Sequence, residues 1–132
     1  MKNILFLLFI FSSTCLADFC HDLYTKDKVF FGKKDNLTLC QDALNGDADS
    51  QFDLASWYMA EEKNSTEAFN WVRKSAAQGC AKSQYVAGLM YYDGEGTDTH
   101  WFYASELIGR AAKSGLLFCP KATCYCENGI RA

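Results

Sequence analysis

Apolar and small side chains recur at helical spacing along the middle of the chain. Ala48, Phe52, Ala55 and Met59 lie three or four residues apart, as do Ala81, Tyr85, Gly88 and Tyr92. Each set predicts a helix with one buried stripe. Ala68, Trp71, Val72 and Ala76 predict a further helix after the first set, and Ala104, Leu107, Ile108 and Ala112 predict one after the second. The punctuation agrees with this periodicity. Ser65 or Thr66 can cap the helix that holds Trp71, Gly79 can end it in a left-handed turn, and Gly115 can end its counterpart.

The four helices form two copies of one unit. "GDADSQFDLASWYMA" from Gly46 aligns with "GCAKSQYVAGLMYYD" from Gly79, matching Ala48 with Ala81, Ser50-Gln51 with Ser83-Gln84, and Tyr58 with Tyr91. "AFNWVRKSAAQG" from Ala68 aligns with "ASELIGRAAKSG" from Ala104, matching Trp71 with Leu107 and Ala76 with Ala112. The units run for 33 residues from Gly46 to Gly79 and 36 from Gly79 to Gly115, and the difference falls in the turn, where only copy two has Gly94-Glu95-Gly96. Small residues on facing sides let antiparallel helices approach closely. A single pair cannot bury both its apolar faces, so copies must stack and the ends need caps.

This pattern resembles the Sel-1-like repeat, a relative of the tetratricopeptide repeat. "SQYVAGLMYYDGEG" and "WVRKSAAQGCAKSQ" carry the likeness, which covers Gly46 to Gly115. "NLTLCQDALNG" adds a preceding half unit, with Ala43 at the position of Ala76. The departures are the missing Gly-x-Gly in copy one and Thr97-Asp98-Thr99-His100 in place of the usual run after it in copy two. The expected fold is all-α: a short α-solenoid of about two to two and a half antiparallel helix-pair repeats with disulfide-stapled terminal caps. The expected layout is a single domain over 18–132. It comprises an N-terminal cap and half repeat (18–45), repeat 1 (46–78), repeat 2 (79–114) and a cysteine-rich cap (115–132).

Residues 1–17 read as a cleaved secretory signal peptide. Lys2 precedes the apolar run Ile4 to Phe11, and Cys15-Leu16-Ala17 places small residues where a signal peptidase cuts. The segment is too short to span a membrane, and its terse form reads as bacterial, giving a periplasmic or secreted chain. The mature part carries 12 basic and 16 acidic residues, which argues against a nucleic-acid partner or an anionic membrane surface. Cys20, Cys40, Cys80, Cys119, Cys124 and Cys126 remain after cleavage, an even number that reads as three disulfides. Cys20 with Cys40, and Cys80 with a tail cysteine, are the expected pairs. Cys119-x4-Cys124-x-Cys126 is not a usual zinc spacing.

No catalytic, cofactor or metal constellation stands out. Gly94-x-Gly96 follows a helix rather than a strand, so it lacks the context of a dinucleotide loop. Asp93, Glu95 and Asp98 have the wrong spacing for a calcium loop. His100 has no nucleophile at a suggestive spacing, and Glu61, Glu62 and Glu67 read as a solvated helix end. Asn36 and Asn64 head glycosylation sequons, which would matter only in a eukaryotic secretory pathway.

One feature exceeds what the repeat requires. Trp101, Phe102 and Tyr103 are consecutive, so they cannot all face one core from a helix. With Tyr91, Tyr92 and His100, and rimmed by Asp93, Glu95 and Asp98, they make either a protein-binding edge or a seat for the C-terminal tail. Trp57 and Tyr58 are expected at the matching edge of copy one. Members of the family act as adaptors and scaffolds, so the resemblance implies a non-catalytic protein binder. The chain is similar in size and export to periplasmic immunity proteins that occlude an antibacterial toxin. The rival readings are a penicillin-binding or β-lactamase-like activity, as in cysteine-rich relatives, and an envelope scaffold or virulence factor binding a host protein. Against the enzyme stand the absence of Ser-x-x-Lys and the irregular cysteine positions, Cys80 having no counterpart at Asp47 or Leu116.

Overall fold

The computed structural model describes residues 36–115. Among them are five α-helices and no strand: α1 (Asn36–Leu44), α2 (Ala48–Trp57), α3 (Ser65–Ala77), α4 (Ala81–Asp93) and α5 (Trp101–Lys113). Each packs on the next in chain order, with α1 on α2, α2 on α3, α3 on α4 and α4 on α5. Contacts between opposite ends make the neighbours antiparallel. Ser75, late in α3, donates to the carbonyl of Ala48 at the start of α2 (2.7 Å) and shares a 2.6 Å hydrogen bond with Ser83, early in α4. The arrangement is a helical solenoid.

Local chemistry sets the boundaries. Asp47 caps α2 by accepting from the Ser50 amide at 2.9 Å. Gly46, Gly79 and Gly115 follow α1, α3 and α5 with φ of +101°, +90° and +82°, a region that spares only glycine a steric cost. Two sequence expectations change here. The cap of α3 is Asn64, whose side chain accepts from the Glu67 amide at 3.2 Å, rather than Ser65 or Thr66. The reason lies upstream: α2 runs on into a π-helical turn, Tyr58–Glu62, closed by Lys63 at φ +50°. The left-handed Lys63 brings the Asn64 amide to the Tyr58 carbonyl (3.0 Å) and leaves Asn64 as the last residue outside the helix. Ser65 Oγ donates instead to Glu95 in the turn of copy two.

The second change concerns the buried stripe. Phe52 is only partly buried, and Met59, Tyr85 and Tyr92 are exposed, whereas Ser50, Gln51, Leu54, Ala55 and Trp57 of α2 and Ser83, Gln84, Ala87, Gly88 and Met90 of α4 face inward. The buried polar side chains are held by specific partners: Ser50 donates to the Asp47 carboxylate, Ser83 shares a hydrogen bond with Ser75, and the two glutamines reach backbone carbonyls. Gln51 donates to the Ala43 carbonyl (3.0 Å) and Gln84 to the Ala76 carbonyl (3.4 Å), both eight residues back. The hydrogen bond that each side-chain NH2 group keeps offsets much of its desolvation cost. The core itself holds Leu54, Trp57, Tyr58, Phe69, Trp71, Val72 and Met90 around small Ala43, Ala55, Ala68, Ala76 and Ala87.

Close approach is greatest between α4 and α5. A Cβ on Gly88 would lie 2.6 Å from Ile108 Cγ1 and 3.1 Å from the Ala104 carbonyl oxygen. Cys40 and Cys80 are fully buried, and both are disulfide-bonded. Their expected pairing with Cys20 and a tail cysteine lies outside the described residues, as do Cys119, Cys124, Cys126, the signal segment and both terminal caps.

Candidate protein-binding surfaces

Two surfaces of the solenoid expose apolar side chains. The first is the outer face of α2 and α4. These helices run side by side with positions 33 residues apart facing one another. Lys82 pairs with Asp49 at 2.8 Å, and its ammonium sits 4.6 Å over the Phe52 ring. The same register aligns Phe52 with Tyr85, Ser56 with Leu89 and Met59 with Tyr92. Met59, Leu89 and Tyr85 are 37%, 38% and 39% exposed, unusual for large apolar groups on a repeat whose small residues are fully buried. Between the helices lies an open, mainly apolar groove of about 330 Å³, lined by Phe52, Ser56, Met59, Ala60, Val72 and Val86. Its open form and apolar lining suit the apolar side chains of a partner.

The second surface surrounds the α4–α5 turn. Gly94 closes α4 in a left-handed conformation, and the His100 amide returns to the Tyr91 carbonyl at 2.8 Å. The turn also leans on copy one. A Cβ on Gly96 would fall 2.1 Å from the Ser65 carbonyl oxygen, and Glu95 accepts from Ser65 Oγ at 3.0 Å. Behind the turn, partly buried Tyr91 packs edge-on against Phe69 (4.9 Å between centroids) and contacts the rings of His100 and Tyr103 at 6.0 and 5.6 Å. In front of it Tyr92, Trp101, Phe102 and Tyr103 are exposed, Trp101 and Phe102 each by 75%.

The sequence-derived site residues therefore divide. Tyr92, Asp93, Glu95, Asp98, His100, Trp101, Phe102 and Tyr103 are brought to one exposed edge, with Tyr91 beneath them. Trp57 and Tyr58 are not at a matching edge: they are 5% and 7% exposed, stacked edge-on at 5.1 Å within the core. The π-helical turn accounts for the difference, since it follows directly on Trp57 and holds Tyr58 against α3. Burial, with the carboxylates of Glu67 and Glu62 adding to it, pushes the Tyr58 hydroxyl up to about 12. The alternative seat for the aromatics, the C-terminal tail, lies outside the described residues.

Helical spacing alone assigns Phe52, Met59, Tyr85 and Tyr92 to a buried stripe, and so hides the face of α2 and α4 as a surface. The signal was present in the repeat: apolar residues occupy the same positions in both copies while Ser-Gln pairs occupy another shared face. Among the described residues no group of three or more His, Cys, Asp or Glu side chains could hold a metal ion, and no helix is long and apolar enough to cross a membrane.

Comparison with known proteins returns relatives of two kinds. No family model matches the chain. It is 36% identical over 109 residues to the chitin synthase regulator SKT5 of Saccharomyces cerevisiae, covering 76% of this chain and 15% of that protein. It is 35% identical over 79 residues to chitin synthase regulatory factor 3 of Schizosaccharomyces pombe, covering 56% of this chain and 8% of that one. The chain thus spans a small fraction of the length of these curated relatives. Among solved structures, a Sel1 repeat protein from Oxalobacter formigenes superposes with a TM-score of 0.55 at 32% identity, over 60% of this chain and 62% of that one. The described residues are an all-helical repeat solenoid with the fold of that Sel1 repeat protein.

Proposed function

We propose that the chain is a small exported member of the Sel-1-like repeat family that acts, without catalysis, by binding another protein. The observation that carries this reading is the paired face of α2 and α4, where equivalent apolar side chains flank an open groove. A solenoid has no reason of its own to leave Leu89 and Met59 in water on this face, whereas a docked helix or strand would bury them. The likeness to proteins named as regulators and to a repeat protein supports a role in modulating a partner rather than in chemistry on a substrate.

The proposed architecture is a signal segment over 1–17, repeats over 46–78 and 79–114, and caps joined to them by disulfides. The buried, disulfide-bonded Cys40 and Cys80 support the last point, since each could tie a helix of the stack to a flanking segment. The finer reading is a periplasmic immunity protein: the chain would cover the active site of an antibacterial toxin, with acidic residues steering a basic enzyme. The signal-like start and the cysteine content support export, and the net charge of −3 supports a basic partner.

The test uses the oxidised chain as bait in extract of its own cell, beside Met59→Asp and Leu89→Asp. The expected result is one discrete protein retained by the unchanged chain and lost from both variants. Identical retention by all three overturns the groove reading. Co-expression with each candidate effector tests the immunity role: no rescue of growth by any of them removes it.

A further inference from the structure

We infer that the exposed edge at the α4–α5 turn is a second binding site, distinct from the α2/α4 groove, which takes arginine or lysine side chains of a cationic protein segment. Two rings elsewhere in the fold carry a lysine of the same chain. Lys74 lies 4.0 Å over the Trp71 ring and Lys82 lies 4.6 Å over the Phe52 ring, so each is covered by an ammonium group of the same chain. Among the described residues no such group lies over Tyr92, Trp101 or Phe102. Their own stretch of chain supplies no cation: between Lys82 and Arg110 there is no lysine or arginine, while Asp93, Glu95, Asp98 and Glu106 fall in that interval.

Two of these carboxylates are engaged within the chain. Glu95 accepts from Ser65, and Glu106 pairs with Arg110. Asp93 and Asp98 are exposed and make no hydrogen bond or ion pair among the described residues. The edge therefore presents open aromatic faces beside two uncommitted negative charges. A cation is attracted to the ring face by its quadrupole and to the carboxylate by its charge, and a guanidinium can satisfy both at once. The same charges disfavour a second copy of this chain at the edge, since a two-fold contact would set Asp93 and Asp98 against their own equivalents. The surface is built for a partner segment of opposite sign.

The experiment titrates the full oxidised, isotope-labelled chain with an arginine-rich peptide, its lysine counterpart and a glutamate counterpart, followed by amide and indole chemical shifts. Trp101 supplies a reporter separate from the buried Trp57 and Trp71. The expected result is saturable shifts over residues 91–103 with the arginine and lysine peptides and none with glutamate. Trp101→Ala or Phe102→Ala should weaken binding by about 2- to 30-fold, and Asp93→Asn with Asp98→Asn should weaken it and flatten its salt dependence. Leu89→Asp should leave it unchanged, so failure of the groove reading and failure of this one are told apart. The inference is overturned by an absence of binding, by shifts that map elsewhere, or by affinity indifferent to Trp101 and Phe102. Loss of binding in Leu89→Asp overturns it equally.

Discussion

Gly88 tests the close packing of the solenoid with an effect whose sign depends on one neighbour. In isolation, Gly→Ala inside a helix gains about 1 kcal/mol from propensity. At Gly88 the new methyl would sit 2.6 Å from Ile108 Cγ1, well inside contact distance, and 3.1 Å from the Ala104 carbonyl. Overpacking of this kind costs about 1–3 kcal/mol. The net expectation for Gly88→Ala is a loss of about 1 kcal/mol, a fall in Tm of about 4–8 °C for a domain of this size. Ile108→Ala removes the clashing atom and is itself destabilising, by less than the 2–5 kcal/mol typical of a fully buried isoleucine because Ile108 is only partly buried. In that background Gly88→Ala should stabilise by about 1 kcal/mol. The assay is urea unfolding of the oxidised protein followed by circular dichroism, run as a double-mutant cycle. An effect of the same sign in both backgrounds would refute the packing argument.

Three further outcomes follow from the same structure. Gly109 has open space where a Cβ would go, so Gly109→Ala should raise stability by about 0.5–1 kcal/mol in the same assay. Ser75→Ala removes the buried bonds to Ala48 and Ser83 and should cost about 1–3 kcal/mol, while Ser56→Ala, which loses only an exposed bond to Phe52, should stay within about 0.5 kcal/mol. With its hydroxyl raised from 10.0 to about 12, Tyr58 stabilises the fold fully below pH 10, and that contribution is lost as pH rises through 12. The loss approaches about 2–3 kcal/mol. Denaturant midpoints should therefore fall between pH 10 and 12 in the native chain and fall less in Tyr58→Phe.

Helix number, order and the solenoid were legible because the stops are chemical. Gly46, Gly79 and Gly115 punctuate the units, and Trp71, Val72 and Ala76 face the core as their spacing requires. The inner face of α2 and α4 was not legible from hydropathy, because Ser50, Gln51, Ser83 and Gln84 are buried. Periodicity counts such groups as polar, whereas the fold supplies the Ala43 and Ala76 carbonyls to the glutamines, the Asp47 carboxylate to Ser50 and the Ser75 hydroxyl to Ser83. That rotation moved Phe52, Met59, Tyr85 and Tyr92 out of the assumed core and hid the groove. The edge was read better, since three consecutive aromatics cannot share one buried face whatever the helix does. Its glycines were a structural matter all along: Gly96 is small because the Ser65 backbone passes 2.1 Å from where a Cβ would be. Copy one does without them by closing α2 with a π-helical turn and a left-handed Lys63. Trp57 and Tyr58 were misplaced because nothing in their residue types announces that turn.

The central claim is that the chain works through the α2/α4 face, and site-specific photo-crosslinking tests it most directly. A photoreactive residue is placed at Leu89 on that face or at the exposed Arg73 of α3, in the oxidised chain within its own cell compartment. A discrete adduct with one other protein at Leu89 and none at Arg73 is the predicted result. The same adducts at both positions, or none at Leu89, would contradict the account.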